Sequence, residues 1–389
     1  MTALKQFQQL MARSARQLCE RKVYFFAMIV VPVAMAFFFL SLLGEGLPVE
    51  VPTAVVDLDN SSLSRRITRN LGSMETVDIS MKLSSYDEAM QMVRQGEIFG
   101  FFYIPRDMQR DALAGNTPTI TYYSNMTYFV PGTLAYKGFK TMAVSASGAI
   151  VQGKLINSGV GENTASVLLQ PVVIDVNGIG NPWMNYSYYL TTSFMAGVLE
   201  LMIFLVTVFS ICTEMKYNTS PEWLRMSNGS IIGAVMGKLI PQTVVFTIVG
   251  IFLNVLLFKF YHFPMNGSWW WLTVAMILYV PACQGFALLI TSIIPNMRLA
   301  ISICSLLGIL AFSIAAFSFP VQSMYGSVGI FSFILPVRYY FLIYIDQALN
   351  GIDIYYSRYY YVALLIFTVL PYLALWNLKR HALKPVYIP

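Results

Sequence analysis

Six runs of apolar residues in this 389-residue chain are long enough to cross a hydrocarbon layer about 30 Å thick, and no other feature restricts the fold so much. They are residues 23–43, 189–212, 231–257, 269–294, 298–319 and 360–376. Hydrophobic residues make up 57% of the chain and charged ones 11%, against about 45–50% and 25% in soluble domains. Much of the chain therefore has lipid as its solvent. The first run is longer than a signal-peptide core of about 7–15 residues and no Ala-x-Ala site follows it, so it is expected to remain as an anchor. A net charge of +6 without long basic runs gives nucleic acid no surface to bind.

Six crossings return both ends to one side. Lys5, Arg13, Arg16, Arg21 and Lys22 precede the first run, and Lys379, Arg380 and Lys384 follow the last. The positive-inside rule then puts both termini in the cytoplasm, and a tail at 378–389 with them. Lys216 and Arg225, after the second run, and Arg298, before the fifth, fall on the same side. Trp269, Trp270 and Trp271 fall at the outer interface, where amphipathic rings concentrate. Residues 328–349 are apolar but interrupted by Pro336 and Arg338. Each half is too short to span, so the stretch reads as a broken re-entrant or interfacial pair on the outer face. Pro32, Pro241, Pro281 and Pro371 read as kinks. At the N-terminus, Leu4, Phe7, Leu10, Met11, Ser14, Ala15 and Leu18 recur at helical spacing opposite Lys5, Arg13 and Arg16, which predicts an interfacial amphipathic helix over 1–22.

Between 44 and 188 the chain is water-facing, with thirteen acidic residues against ten Lys plus Arg. Strands are expected at 53–57, 77–81, 98–104, 119–123 and 172–176. Helices are expected at 65–71, at 86–94 behind a Ser85/Glu88 capping box, from Pro105, and at 132–157. This is an inserted α/β domain with a mixed or parallel sheet, placed outside the cytoplasm. Cys19, Cys212, Cys283 and Cys304 all lie outside it, so it folds without disulfides, and no Cys/His pattern suits a metal. Asp57 and Asp59 read as a strand end leading into the helix start marked by Asn60-Ser61-Ser62. No nucleophile or metalloprotease motif occurs. Gly233-Ala-Val-Met-Gly237-Lys238-Leu is one residue short of a phosphate-binding loop and lacks its Ser or Thr, so the chain is expected not to hydrolyse ATP, to bind no cofactor and to be no enzyme.

Glu200 lies near the middle of the second run. A carboxyl at that depth costs a few kcal/mol, about 2.5–3.5 for Asp on insertion scales, so it must face protein or water. It either lines a translocation path between two protomers or is protonated or hydrogen-bonded to a neighbouring hydroxyl and fixes packing.

From the second run into the third the sequence reads Glu214-Met-Lys216-Tyr-Asn-Thr-Ser-Pro221-Glu222-Trp223-Leu224-Arg225, then Gly237-Lys238-Leu-Ile-Pro241. This resembles the ABC-2 type permeases, in which charged residues precede a Gly-Thr-x-Glu-x-Leu turn and a Gly-Lys-Leu-x-Pro run opens the third span. Thr219-Ser220-Pro221 departs from the usual Gly-Thr. Asn181-Pro182 with Asn185-Tyr186, Phe317-Ser-Phe-Pro320 with Met324, Leu335-Pro336 with Tyr339-Tyr340, and the segment Asp57 to Ser62 are similar to the same family, in the subfamily with a large extracytoplasmic insertion. The resemblance implies six transmembrane helices around that insert and a separate cytoplasmic ATPase that carries ATP and magnesium. It also implies a second permease chain, identical or paralogous, and in some members a periplasmic adaptor and an outer-membrane channel. Glu214, Lys216, Pro221, Glu222, Trp223, Leu224 and Arg225 would couple to the ATPase, with Trp223 and Leu224 as apolar anchors. Gly237, Lys238 and Pro241 would form the third-helix motif, and Pro336, Arg338 and Tyr339 the outer re-entrant segment. The expected role is the permease subunit of an exporter in a bacterial inner membrane. A membrane-anchored receptor or scaffold, whose inserted domain binds a partner, is the alternative.

Overall fold

The structure, a computed structural model, describes residues 3–44, 46, 50–74, 77–114, 116, 118–125, 129–169, 180–182, 185–315, 317 and 321–385. It divides into two compact units, Leu47–Asn177 and the remainder, Met1–Gly46 with Gly178–Pro389. In the larger unit α1 (Ala3–Glu20) ends at Arg21, whose extended backbone separates it from α2 (Lys22–Leu42). A π-helical stretch at Phe26–Val30 lies just before Pro32, where the missing N–H and the ring disturb regular α-helix. The buried face of α1 is rotated from the expected one. Leu10 and Ser14 are buried and Arg13 is largely so, whereas Ala15 is exposed with Lys5 and Arg16. Arg13 therefore leaves the polar face, because a buried carboxylate pairs with it.

The inserted unit is a doubly wound layer. It runs β1 (Val51–Asp57), α3 (Ser62–Gly72), β2 (Val77–Leu83), α4 (Tyr86–Gln95), β3 (Gly100–Ile104), α5 (Met108–Ala114), β4 (Thr121–Ser124), α6 (Phe129–Asn157) and α7 (Glu162–Leu169). Strand order is β2-β1-β3-β4, with β1 parallel to both neighbours and β4 antiparallel to β3. Alternation along β1 separates two cores. Val55 packs with Ile67 and Leu71 of α3, whereas Ala54 and Val56 pack with Ala89 of α4. Ser61 caps α3 by accepting from the Ser64 N–H at 3.0 Å, and Ser85 caps α4 by accepting from the Glu88 N–H at 3.2 Å. Glu88 reaches back to the Ser84 N–H, one residue before the expected partner. Asp57 accepts from the N–H groups of Asp59 and Asn60 and from the Ser64 hydroxyl, and Asp59 accepts from the Gln109 N–H. The acidic pair closes the turn between strand and helix. The strand expected at 172–176 lies outside the described residues.

The larger unit continues with α8 (Tyr186–Lys216), α9 (Ser220–Met226), α10 (Ile231–Phe260), α11 (Trp269–Ile293) and α12 (Met297–Ile314), followed by α13 (Gly326–Ser332), α14 (Pro336–Asn350), α15 (Ile354–Leu373) and α16 (Leu375–Leu383). Among the described residues α2, α8, α10, α11 and α12 are each long and apolar enough to cross a membrane alone. The sixth apolar run forms α15, which starts at Ile354, earlier than expected, because Asp353 caps it through the Tyr355 N–H at 2.8 Å. α15 bends by 40° into α16, so Lys379 and Arg380 sit on a helix held by buried Leu375, Leu378 and Ala382. The chain is thus a helical membrane protein with an inserted α/β domain. α8 and α11 are mostly buried and form the centre, while α2 and α12 turn apolar side chains outward. Close packing relies on small residues, as in membrane bundles generally. A Cβ on Gly285 of α11 would lie 2.3 Å from the Phe367 carbonyl oxygen of α15. α13 and α14 meet at 84°, the broken pair expected from Pro336.

Candidate functional site

Four elements converge on the short helix α9. Pro221 opens it, fixing φ where no N–H is needed. The Ser220 hydroxyl donates to the Ala382 carbonyl of α16 at 2.8 Å, and the Trp223 indole donates to the Ala234 carbonyl of α10 at 3.1 Å. Trp223 and Leu224 are each 1% exposed. This corrects their expected role as anchors on a partner, since their apolar surface is already spent inside the chain. Lys216, Glu222 and Arg225 are the members of the motif that face outward, with Pro221 half-buried between them.

Beneath α9 lies a buried ionic node. Glu214, near the C-terminus of α8, is 2% exposed and accepts hydrogen bonds from Lys238 of α10, Arg13 of α1 at 3.0 Å, Gln17 of α1 at 3.4 Å and Thr219 at the start of α9. Lys238 also donates to Gln17 at 3.1 Å, and its ammonium lies 5.8 Å from the centre of the Trp223 ring, within cation–π reach. An ion pair this enclosed persists only when its remaining donors and acceptors are used, and here four partners meet one carboxylate. Gly237 makes the approach possible. A Cβ there would come within 2.5 Å of the Leu10 side chain, so glycine lets α1 lie against α10. Pro241 sits one turn on inside α10 and frees the Gly237 carbonyl from its helical hydrogen bond.

A second acid on α8 holds another element. Glu200 is fully buried, and its Oε2 accepts the Val337 N–H at 2.9 Å. The Tyr279 hydroxyl is 3.4 Å from the same oxygen and 2.8 Å from the Ala196 carbonyl, and Tyr340 stacks on the Tyr279 ring at 4.7 Å. α14 begins at Leu335-Pro336, which can neither cap the helix with a side-chain oxygen nor offer an N–H at Pro336. Glu200 supplies the cap from a different helix. Its other oxygen, Oε1, has no hydrogen-bond partner among the described residues. The carboxyl is enclosed by α8, α11 and α14, so it lines no outward-facing surface of this chain. Arg338 follows on α14, its guanidinium 4.7 Å from the centre of the Phe333 ring, and the Tyr339 hydroxyl donates to the Phe333 carbonyl at 2.9 Å. Pro336, Arg338 and Tyr339 thus build the corner between α13 and α14.

Arg13, Gln17, Thr219, Tyr279 and the Val337 amide escape a reading of the sequence as sites. The one available signal is that Arg13 and Gln17 stand three and seven residues after Leu10, on the side of α1 that is buried. The candidate residues fall into separate groups: Glu214 and Lys238 with α9, and Glu200 with the α14 start.

A family model described as ABC-2 family transporter protein matches residues 22–376. No curated protein matches the chain. The matched segment holds Glu214, α9, Gly237, Lys238 and Glu200 and leaves out Arg13 and Gln17. Family membership makes this a transporter's membrane subunit, a multi-pass protein whose family works with a partner ATPase. The chain belongs to the ABC-2 transporter family, over nearly its whole length.

Proposed function

We propose that the chain is the permease subunit of an ABC-2 type exporter, moving its substrate out of the cytoplasm or the inner membrane with ATP hydrolysed, with magnesium, on a separate cytoplasmic ATPase. It works as one of two permease chains in a bacterial inner membrane, both termini inside and the inserted domain outside. The observation that carries this reading is the way α9 is built. It is gripped on its inner side by α8, α10, α16 and, through Glu214, α1, while Glu222 and Arg225 point outward. A helix so held transmits a push to the spans instead of bending, and its outward charges are what an ATPase would meet.

The test is a mild-detergent pull-down of the tagged chain from its native membrane, with ATPase assay and mass spectrometry of what accompanies it. A stoichiometric ATPase, lost in Glu222→Lys with Arg225→Glu while the chain stays folded, is the expected result. A folded chain that carries no ATPase would reject the exporter and leave the membrane-anchored scaffold.

A further inference from the structure

The inserted unit carries a cavity of about 830 Å³ that the transport reading leaves unused. It opens at the C-terminal ends of β1 and β2, beside the first turns of α3. In open α/β sheets ligands bind outside the carboxyl ends of the strands, and this lining comes from those ends of β1 and β2, with Arg106 from just beyond β3. Four cationic side chains line it: Arg65 and Arg69 from one face of α3, Lys82 from β2 and Arg106 after β3. All four are exposed, and none is ion-paired to a carboxylate among the described residues. Arg65 donates to the Asn60 carbonyl at 2.7 Å, which leaves its charge unneutralised. Asp57 is the one acid in the lining, and its oxygens are taken by Asp59, Asn60 and Ser64.

Lys82 arrives there through a defect in the strand. The register of β1 with β2 shifts between Thr53 and Ala54, where the partners jump from Ile79 to Met81. Without that bulge Lys82, three residues after Ile79, would point to the opposite face. With it, Lys82 pairs with Val55 and shares the face of α3. Such bulges re-aim a side chain and are over-represented at sheet edges, as on edge strand β2 here, and next to active sites. On the α3 face the aliphatic lining is Val55 and Ile79, while Leu58 and Leu83 pack with the core under α4.

We propose that this cavity binds an organic anion, a phosphate- or carboxylate-bearing molecule with an apolar body. Converging cations repel one another in the empty site, and an anion relieves that repulsion while its body covers the aliphatic wall. The volume suits a ligand of small-molecule size. Binding here needs neither ATP nor the proposed ATPase.

The test uses the full chain in nanodiscs of zwitterionic lipid, titrated calorimetrically with 1-naphthyl phosphate and with inorganic phosphate. Saturable binding of the naphthyl ester is expected, weakened about tenfold or more by Lys82→Glu and by Arg69→Glu. Arg94→Glu, an exposed cation on α4 outside the cavity, should leave it unchanged. Naphthyl phosphate should bind about tenfold tighter than inorganic phosphate. Equal affinities would overturn the apolar body and reduce the ligand to free phosphate. No saturable binding of either probe to the folded chain, or an equal loss in Arg94→Glu, would overturn the site.

Discussion

Replacing Glu214 with Gln should weaken the fold far more than replacing Lys238 with Met, and changing both should cost less than the first change alone. Glu214 is the hub. Its carboxylate serves Arg13, Lys238, Gln17 and Thr219, so the Gln variant turns its amide nitrogen toward donors and strands an ammonium that is 3% exposed. Breaking a buried pair in this way costs about 3–5 kcal/mol. The reverse deletion is milder, because Met fills the lysine stem's volume while Arg13, Gln17 and Thr219 still satisfy the carboxylate. About 1 kcal/mol is expected for that change. In the double variant no ammonium remains, and Arg13, whose side chain is 21% exposed, can turn to water. The two changes should therefore couple by about 2 kcal/mol, well beyond the scatter of independent sites. The assay is the fraction of detergent-purified chain that stays monodisperse on size exclusion after heating, compared across the two single variants and the double one. Equal midpoints for Glu214→Gln and Lys238→Met, or a double variant as low as the sum of the singles, would refute the hub.

Glu200→Ala should cost about 1–3 kcal/mol by leaving the Val337 N–H without an acceptor, whereas Glu200→Gln keeps an oxygen there and should melt near the parent. If the Gln variant melts as low as the Ala variant, the capping role fails. Gly237→Val drives a branched side chain into Leu10 and should cost about 1–3 kcal/mol, with recovery on adding Leu10→Ala. Thermal midpoints of the single and double variants check this, and no recovery would count against close packing of α1 on α10. Trp223→Phe removes the hydrogen bond to the Ala234 carbonyl and should cost about 1 kcal/mol, while Glu222→Ala, on the exposed side, should change stability by less than about 0.5 kcal/mol. Matching midpoints for those two variants would refute the two-sided account of α9.

The spans were legible because lipid solvation needs long apolar runs, and each of the six runs holds a long helix among the described residues, the fifth ending at Ile314. The corner at Pro336 was legible for a related reason, since proline interrupts a stretch too short to cross twice, although Arg338, expected to interrupt it too, lies within α14. The inserted sheet was legible from its caps. Ser61 and Ser85 stand where helices begin, and the acids between β1 and α3 close the turn that their spacing suggested. Legibility ended wherever a residue's partner is distant in sequence. Arg13 reads as one of three cations on a polar face until a carboxylate about two hundred positions away is known to meet it. Trp223 and Leu224 read as anchors because large apolar residues in a charged loop look available, and only tertiary packing shows them taken. Lys82 is the clearest case. Period-two alternation puts it on the wrong face, and a one-residue bulge, invisible in the pattern, decides the matter.

One helix carries both acids on which the membrane unit depends. Glu200 and Glu214 are separated by about 21 Å along α8 at 1.5 Å per residue, and at 3.6 residues per turn they lie within roughly 40° of one another around its axis. Each reaches off α8 to an element that begins with proline chemistry: α9, whose second residue is Pro221, and α14, whose first is Pro336. A proline start gives a sharp entry into a short helix but leaves its first turn dependent on outside oxygens. At α14 the Glu200 carboxylate is that oxygen. At α9 the Glu214 carboxylate takes the Thr219 hydroxyl, its backbone carbonyl takes the Thr219 N–H at 2.9 Å, and the same side chain draws in α1 and α10. The long, mostly buried α8 therefore acts as a shaft with one short helix fastened near its C-terminal end and another near its middle. Displacing α9 without displacing the shaft would break the Thr219 hydrogen bonds to Glu214. Displacing the start of α14 would break the Val337 bond to Glu200, so α9 and the α13–α14 corner are fastened to one and the same helix.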